Sequence, residues 1–223
     1  MQTFAQWGLP QCIKADNGAP LGDPQRMSVP VLALWLIGWG IEVVWSRPRT
    51  PRDNAKVERM QATTGRWVEV EKCTTLQQLQ GKLDEAALIQ REKYQVKRLG
   101  AQCRKDVYPQ LWTNSRTYSG QGFDLHRVYR YLSTVAFVRK VNNTGTFNFF
   151  KQNVYAGLAH KGKTLTLHFA PQQQHFNISD ESGHIVATLQ ADNFSTQHIL
   201  TLTVSAYRYV KCQNLLSPTI TKT

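Results

Sequence analysis

Residues 47–61 read RPRTPRDNAKVERMQ, and in this stretch an extended loop gives way to a helix. Its two prolines favour the loop, because each fixes its own φ and biases the residue before it away from helix. The Asp-Asn pair that follows can cap a helix, since a short polar side chain accepts from the free N–H groups of a first turn. The sequence therefore predicts a helix from Ala55 onward that carries Glu58 near its start.

Glu58 is surrounded along the chain by the basic residues Lys56, Arg59 and Arg66. A carboxylate near a helix start, ringed by cations and preceded by a rigid loop, suits chemistry on a phosphodiester. The alternative is a capped, solvated amphipathic helix with no chemical role. Taken alone, the stretch favours that alternative.

A second acidic segment lies upstream, where residues 13–18 read IKADNG. We expect a short strand over residues 11–15, so that Asp16 stands at its end. Strand ends and the loops after them often carry catalytic groups, because the sheet fixes their position while the loop leaves access. An ordinary Asp-Asn-Gly turn is the alternative for Asp16.

Together these two segments resemble the integrase-core family, the retroviral-integrase-like transposases of bacteria. The likeness runs from about residue 4 to residue 94 and resumes weakly in the C-terminal third. It implies a ribonuclease-H-like fold with an Asp-Asp-Glu metal site, in which Asp16 is the second acid and Glu58 the glutamate. By the same resemblance Mg²⁺ or Mn²⁺ is the cofactor, and each of these catalytic acids holds one cation.

The first acid of the family lies on an early strand, well before the DNG segment. Residues 1–15 contain no Asp or Glu. In the family that acid bridges two metal ions about 4 Å apart, so a chain without it should bind metal weakly. We therefore expect an incomplete copy of a transposase or integrase that binds DNA without cutting it. A catalytically inactive DNA-binding remnant, a purely structural remnant and an unrelated nuclease are the alternatives.

The charge of the chain is basic and unevenly placed. Lys and Arg number 27 against 15 Asp and Glu, which gives a net charge of +12 and a pI of about 9.7. Residues 91–140 alone carry eleven basic and three acidic side chains. Such an excess points to an acidic partner, most often nucleic acid, although a solvated helical surface is the alternative.

The residues expected to contact DNA are all cations that would position the backbone rather than read bases. They are Lys56, Arg59, Arg66, Lys93, Lys97, Arg98, Arg139 and Lys140, with Lys151, Lys161 and Lys163 as further phosphate contacts. By resemblance the partner is double-stranded DNA, both transposon ends and target, and the protein acts as a homo-oligomer.

The hydrophobic pattern divides the chain into an α/β part and an all-β part. We expect a partial ribonuclease-H-like integrase core at 1–95, a basic linker at 96–130, a small SH3-like antiparallel β-barrel at 131–191, and a C-terminal strand and tail at 192–223. The core should contain a helix at 31–38, a strand at 41–45 and a long helix from 76 to about 99. Alternating residues predict strands at 132–140, 146–150, 154–158, 164–169, 175–179 and 185–189.

The scattered cysteines and the lack of a recognisable signal peptide predict a cytoplasmic protein. The four cysteines are scattered without zinc-site spacing, which fits free thiols in a reducing compartment. No signal-peptide pattern is present at the N-terminus. The apolar run at 29–45 contains Glu42 and two glycines, so a buried helix followed by a buried strand explains it better than a membrane span.

Overall fold

The computed structural model describes residues 2–16, 21, 29–47, 49–114, 116–150 and 152–201. Within these ranges the chain is a mixed α/β structure with both parallel and antiparallel strand pairs. The helices are α1 (Gln2–Trp7), α2 (Val31–Gly38), α3 (Ala55–Val68), α4 (Leu76–Glu92), α5 (Arg104–Val107), α6 (Leu125–Ser133) and α7 (Thr196–Leu200). The strands are β1 (Cys12–Ala15), β2 (Glu42–Trp45), β3 (Ala136–Lys140), β4 (Thr146–Phe149), β5 (Gln152–Tyr155), β6 (Thr164–Ala170), β7 (His175–Ser179) and β8 (Ile185–Gln190).

The described residues divide into two compact units that do not follow the order of the chain. The first takes the described residues of Met1–Gly8 and Arg49–Thr117, and the second those of Leu9–Pro48 and Tyr118–Leu202. The predicted domain bounds at 95, 130 and 191 follow the chain instead. They stay a prediction.

The first unit is built around the helices α3 and α4. The predicted start of α3 at Ala55 is confirmed, and the helix ends at Val68, where Glu69 takes a left-handed conformation with φ of 48°. Thr75 caps α4 by accepting a hydrogen bond from the Gln78 backbone N–H. The two helices are joined by a side-chain hydrogen bond of 2.6 Å from Gln90 Nε2 to Thr64 Oγ1. Gln90 is buried, so this bond fixes the spacing of the pair from within.

The prediction that α4 continues to about residue 99 is wrong, because the helix ends at Glu92. The N–H groups of Lys93 and Tyr94 both reach the carbonyl of Ile89, at 3.0 and 2.8 Å, and so close the last turn. A bridge between Val96 and Gln102 then folds the chain back on itself. The spacing of apolar residues, which predicts a longer helix, contains no signal for this reversal of the chain.

The second unit begins with a parallel strand pair and an apolar helix. β1 pairs with β2 in a register that places Ile13 opposite Val43. The prediction of a helix at 31–38 is confirmed, and most of α2 is buried. α2 packs against α6 and α7 of the same unit. No helix in the described part of the chain is long and apolar enough to cross a membrane.

Antiparallel strands form the rest of the second unit. β3, β6, β7 and β8 make one sheet in that order, and β4 and β5 make a separate hairpin. The predicted strand at 175–179 is confirmed to the residue, and those at 146–150, 164–169 and 185–189 are confirmed with shifted ends. The prediction at 154–158 is wrong beyond Tyr155, because β5 ends there and a 3₁₀ turn begins at Leu158. Of the strand predicted at 132–140, only the second half is found. Hydrogen bonding among the described strands does not close a barrel.

Residues 132 and 133 belong to α6 rather than to the predicted strand, which begins only at Ala136. Leu125, Val128, Tyr129 and Leu132 recur at helical spacing, and the last three are buried. A C-terminal strand was predicted within 192–223. Up to residue 201 the structure has no such strand and contains the helix α7 instead. Residues 202–223 lie outside the described part.

Aromatic side chains fill the core of the antiparallel part. Phe137 and Phe176 are fully buried, and their ring centroids lie 6.0 Å apart in an edge-on arrangement. Phe149 contacts both rings, at 5.3 and 5.0 Å. Phe169 and Phe194 extend the cluster on either side of Phe176. Edge-on contacts of this kind add specificity to the burial of apolar area.

We expect Gly145→Ala to lower the free energy of unfolding more than Gly162→Ala does. Both glycines have positive φ, +76° and +77°, so each substitution incurs the same backbone strain of about 1–2 kcal/mol. A Cβ at Gly145 would lie 2.8 Å from the carbonyl carbon of Gly157, whereas one at Gly162 would meet nothing within 4 Å. Crowding against backbone should add about 1–3 kcal/mol at Gly145 alone. Urea denaturation measures the difference, and equal losses would contradict this close approach.

Candidate nucleic-acid interface

Several basic residues far apart in the chain line one groove of the first unit, which we call the basic groove. It has a volume of about 440 Å³. Its lining residues are Ala55, Lys56, Arg59, Met60, Thr63, Trp67, Gln90, Tyr94, Val96, Lys97, Arg98 and Arg104. Four of the predicted DNA-binding residues, from two separate segments, are thus brought together.

One face of α3 forms a wall of the basic groove. Lys56, Arg59, Thr63 and Trp67 are spaced by three, four and four residues, so they share a side of the helix. The two cations are exposed to solvent. Thr63 donates its hydroxyl to the carbonyl of Arg59 at 2.9 Å, and it therefore faces the helix backbone rather than competing for a ligand.

A short reversal of the chain presents the second pair of cations. Lys97 and Arg98 occupy a 3₁₀ turn that precedes Gly100, whose φ is 67°. The turn is closed by the hydrogen bond of 3.0 Å from the Val96 N–H to the Gln102 carbonyl. Both cations are exposed to solvent. Because the turn is short and closed by a hydrogen bond, it fixes the position of their charges at the groove.

Arg104 adds a cation whose position is fixed by the helix pair. Its Nη1 donates to the backbone carbonyl of Gln90 at 2.7 Å, in the last turns of α4. The side chain of the same Gln90 holds Thr64 on α3. One residue thus couples the helix spacing to the placement of a guanidinium group in the groove.

Two exposed aromatic rings lie in the groove beside the cations. Trp67, near the end of α3, and Tyr94, just after α4, have ring centroids 5.3 Å apart at an interplanar angle of 61°. The tryptophan is 37% exposed and the tyrosine 46%. Aromatic side chains of this size are usually buried, and such exposure in a basic groove suits contact with a planar ligand.

The charged side chains that line the groove, among the described residues of the first unit, are all positive. No Asp or Glu is among the described residues that line it. Ion pairs occur elsewhere, between Lys72 and Glu69 at 2.7 Å and between Lys105 and Glu92 at 3.3 Å. The hydrogen bond and charge of Lys72 lower the pKa of Glu69. Cations without a carboxylate neighbour attract phosphate more strongly than cations that already have one.

The other predicted DNA-binding residues lie elsewhere. Arg66 and Lys93 are exposed but do not line the groove, and Arg66 donates to the Ala62 carbonyl at 3.3 Å. Lys140 is exposed on β3, in the second unit, as are Lys161 and Lys163 beside β6. Lys151 lies outside the described residues.

Arg139, also on β3, is engaged by its own unit. Its guanidinium lies 5.3 Å from the centre of the Phe149 ring, and its Nη1 donates to the Val138 carbonyl at 2.7 Å. Burial lowers the pKa of Arg139. These contacts show that Arg139 packs within the second unit, whether or not it also binds DNA.

Asp16 and Glu58 belong to different units, so their pairing in one site stays a prediction. Asp16 is exposed directly after β1, at the carboxyl end of the parallel pair. Glu58 is exposed in the first turn of α3, and its N–H donates to the Asn54 carbonyl. Among the described residues, no three Asp, Glu, His or Cys side chains lie close enough together to hold a metal ion.

A second concavity lies in the second unit, with a volume of about 320 Å³. Its lining includes His126, Tyr129 and Arg130 of α6. Tyr129 also packs on Phe169 in the aromatic core, and burial raises its pKa. This concavity has one arginine where the basic groove has three.

Sequence reasoning missed Trp67, Tyr94 and Arg104 as groove residues. For Trp67 a signal existed, because it shares the helical face of Lys56 and Arg59. Tyr94 falls within the longer helix predicted from 76 to about 99, and Arg104 falls within the predicted linker at 96–130. Their placement depends on the early end of α4 and the reversal after it.

Comparison with known protein families gives no match to the chain.

Proposed function

We propose that this protein binds nucleic acid and that the basic groove holds the phosphate backbone. The observation that carries the proposal is the convergence of Lys56, Arg59, Lys97 and Arg98 on one groove with no described acidic residue in its lining. Lys and Arg neutralise phosphates and release the cations condensed on the nucleic acid, which supplies most of the affinity of sequence-independent binding. The net charge of +12 adds long-range attraction.

The test is a salt series with a labelled duplex. If the five cations of the groove each neutralise one phosphate, log K should fall with log salt with a slope of roughly −4 to −5. Fluorescence anisotropy between 50 and 300 mM KCl measures that slope. A slope near zero would contradict binding through the groove.

A DNA transposase or integrase is the second candidate function, with a partial ribonuclease-H-like core and an SH3-like module. What supports it is the position of Asp16, exposed at the end of a parallel strand, and of Glu58, exposed in a helix first turn. Carboxylates in such places are accessible to divalent cations and DNA. Under this proposal the protein would act as a homo-oligomer on paired DNA ends.

We expect the chain alone to bind duplex DNA without cleaving it in Mg²⁺ or Mn²⁺, because residues 1–15 contain no Asp or Glu to serve as the first of the three acids that the resemblance implies. Denaturing gel electrophoresis of end-labelled duplex measures strand cleavage and transfer. Asp16→Asn and Glu58→Gln should leave duplex binding within about twofold, as surface substitutions outside the groove do.

The matched control is Glu85→Gln, which removes an exposed helical carboxylate of the same type from α4. Cleavage that persists in this control and is lost in Asp16→Asn and Glu58→Gln would overturn the expectation. It would favour the recombinase proposal over simple binding.

A further inference from the structure

The exposure of the Trp67 and Tyr94 rings in the basic groove is not accounted for by phosphate binding to its cations. Cations alone are sufficient to hold a phosphate backbone, and a duplex keeps its bases stacked inside. Trp67 and Tyr94 nevertheless present 37% and 46% of their surface to solvent. Both rings line the same groove as the cations, so a ligand that enters it meets charge and aromatic surface together.

The dimensions of the groove match a short stretch of chain with an unpaired base. From Lys56 to Trp67 the helix rises about 16 Å, which is long enough for the backbone of a short stretch of single strand to lie along it. The volume of about 440 Å³ lies in the range of small-ligand sites. A groove of this volume can admit a nucleotide.

The two kinds of contact are arranged in order along α3. Lys56 and Arg59 stand in its first turns, and Trp67 stands near its end beside Tyr94. A single strand laid along this face would pass cations first and reach the aromatic pair last. Aromatic stacking tolerates any base, because every base has a π-face.

We propose that the basic groove takes a single-stranded stretch of nucleic acid, with a base stacked on the Trp67–Tyr94 pair and its phosphates against the cations of α3 and of the 97–98 turn. This inference rests on the proposed function and goes beyond it by naming the form of nucleic acid that the groove selects. The charged groups supply affinity for any strand, and the ring pair supplies the preference for unpaired bases.

The experiment compares three single-stranded probes of equal charge, and one duplex, on the full chain. A dT₁₂ strand and an rU₁₂ strand carry bases, an abasic 12-mer carries the same phosphates without bases, and a 12-bp duplex hides its bases. At fixed salt we expect dT₁₂ or rU₁₂ to bind about tenfold tighter than the abasic strand. The stronger of the two identifies DNA or RNA as the source. Equal binding of both base-carrying strands and the abasic strand would overturn the inference.

Substitutions locate the effect. Trp67→Leu and Tyr94→Leu should bring the base-carrying strands to the affinity of the abasic strand and leave the abasic strand unchanged. Trp67→Phe should retain most of the preference, because a ring remains, and this variant separates stacking from a folding defect. Tyr155→Leu, at a tyrosine that is 62% exposed on β5, is the matched control and should change nothing. A preference that survives both leucine variants would overturn the inference.

The outcomes keep the two proposals apart. If all probes bind alike and with a strong salt dependence, the proposed function stands and single-strand selection fails. If neither duplex nor single strand binds, both fail.

Discussion

Replacing Lys56, Lys97 and Arg98 by alanine should lower the affinity for duplex DNA by roughly 10- to 100-fold at 100 mM salt. It should also reduce the salt slope by about 2.7, since each lost phosphate contact removes about 0.9 from the slope. The three side chains come from two segments that meet in the basic groove. A loss larger than that of Lys56→Ala alone and of the Lys97→Ala, Arg98→Ala pair would show that the two segments act on one ligand. Anisotropy titrations of the single, double and triple variants across a salt series measure both quantities.

The matched control removes the same number of charges of the same types from Lys72, Lys105 and Arg127. Each of these cations already has a carboxylate partner, at 2.7, 3.3 and 3.5 Å. Both triple variants lower the net charge equally, so long-range attraction falls equally in both. The control should lose less than about threefold in affinity. Equal losses in the two variants would place the binding energy in the overall charge and not in the groove.

Phe137→Ala should lower the free energy of unfolding of the second unit by about 3–5 kcal/mol. Phe137 is fully buried and contacts the rings of Phe149, Phe150 and Phe176. Its removal leaves a cavity among rigid rings that have little freedom to close it. Urea denaturation, followed by the circular dichroism of the strands, measures the change.

Tyr155→Ala is the control for this prediction, because it also removes an aromatic ring from a strand. That ring is 62% exposed, and its loss should stay within about 0.5 kcal/mol. If the two variants were equally stable, the aromatic cluster would not be the core of the antiparallel part.

Elements with strong local signals could be predicted from the sequence. α2 was predicted at its observed bounds because Pro30 precedes an apolar run and two glycines follow it. β7 was predicted to the residue because turns flank an alternating segment. The start of α3 at Ala55 was predicted because two prolines and an Asp-Asn pair precede its helix formers.

The misassigned elements are those in which two periodicities overlap. Leu132 fits both the helical spacing of α6 and the alternation of β3, and its burial among helix residues decides for the helix. The end of α4 depends on the contact between Val96 and Gln102. That contact reflects the path of the backbone and not the composition of the segment.

The candidate site was predictable in its charges but not in its shape. Lys56, Arg59, Lys97 and Arg98 could be named from the basic character of their segments. That they share a groove with Trp67 follows from the packing of α3 against α4, which no local pattern encodes. Asp16 and Glu58 were named from a resemblance, and their roles stay predictions.

The hydrogen bond between Gln90 and Thr64 has a consequence for how binding data on this protein can be understood. Both partners are uncharged, and the bond is 2.6 Å long with Gln90 only 9% exposed. Its strength is therefore insensitive to ionic strength and to pH across the neutral range, unlike that of a surface ion pair. Added salt should therefore leave this contact between α3 and α4 in place while it screens the attraction of the groove for a ligand. The slope of a salt titration should then report the phosphates that the protein neutralises, without a contribution from the loss of this bond.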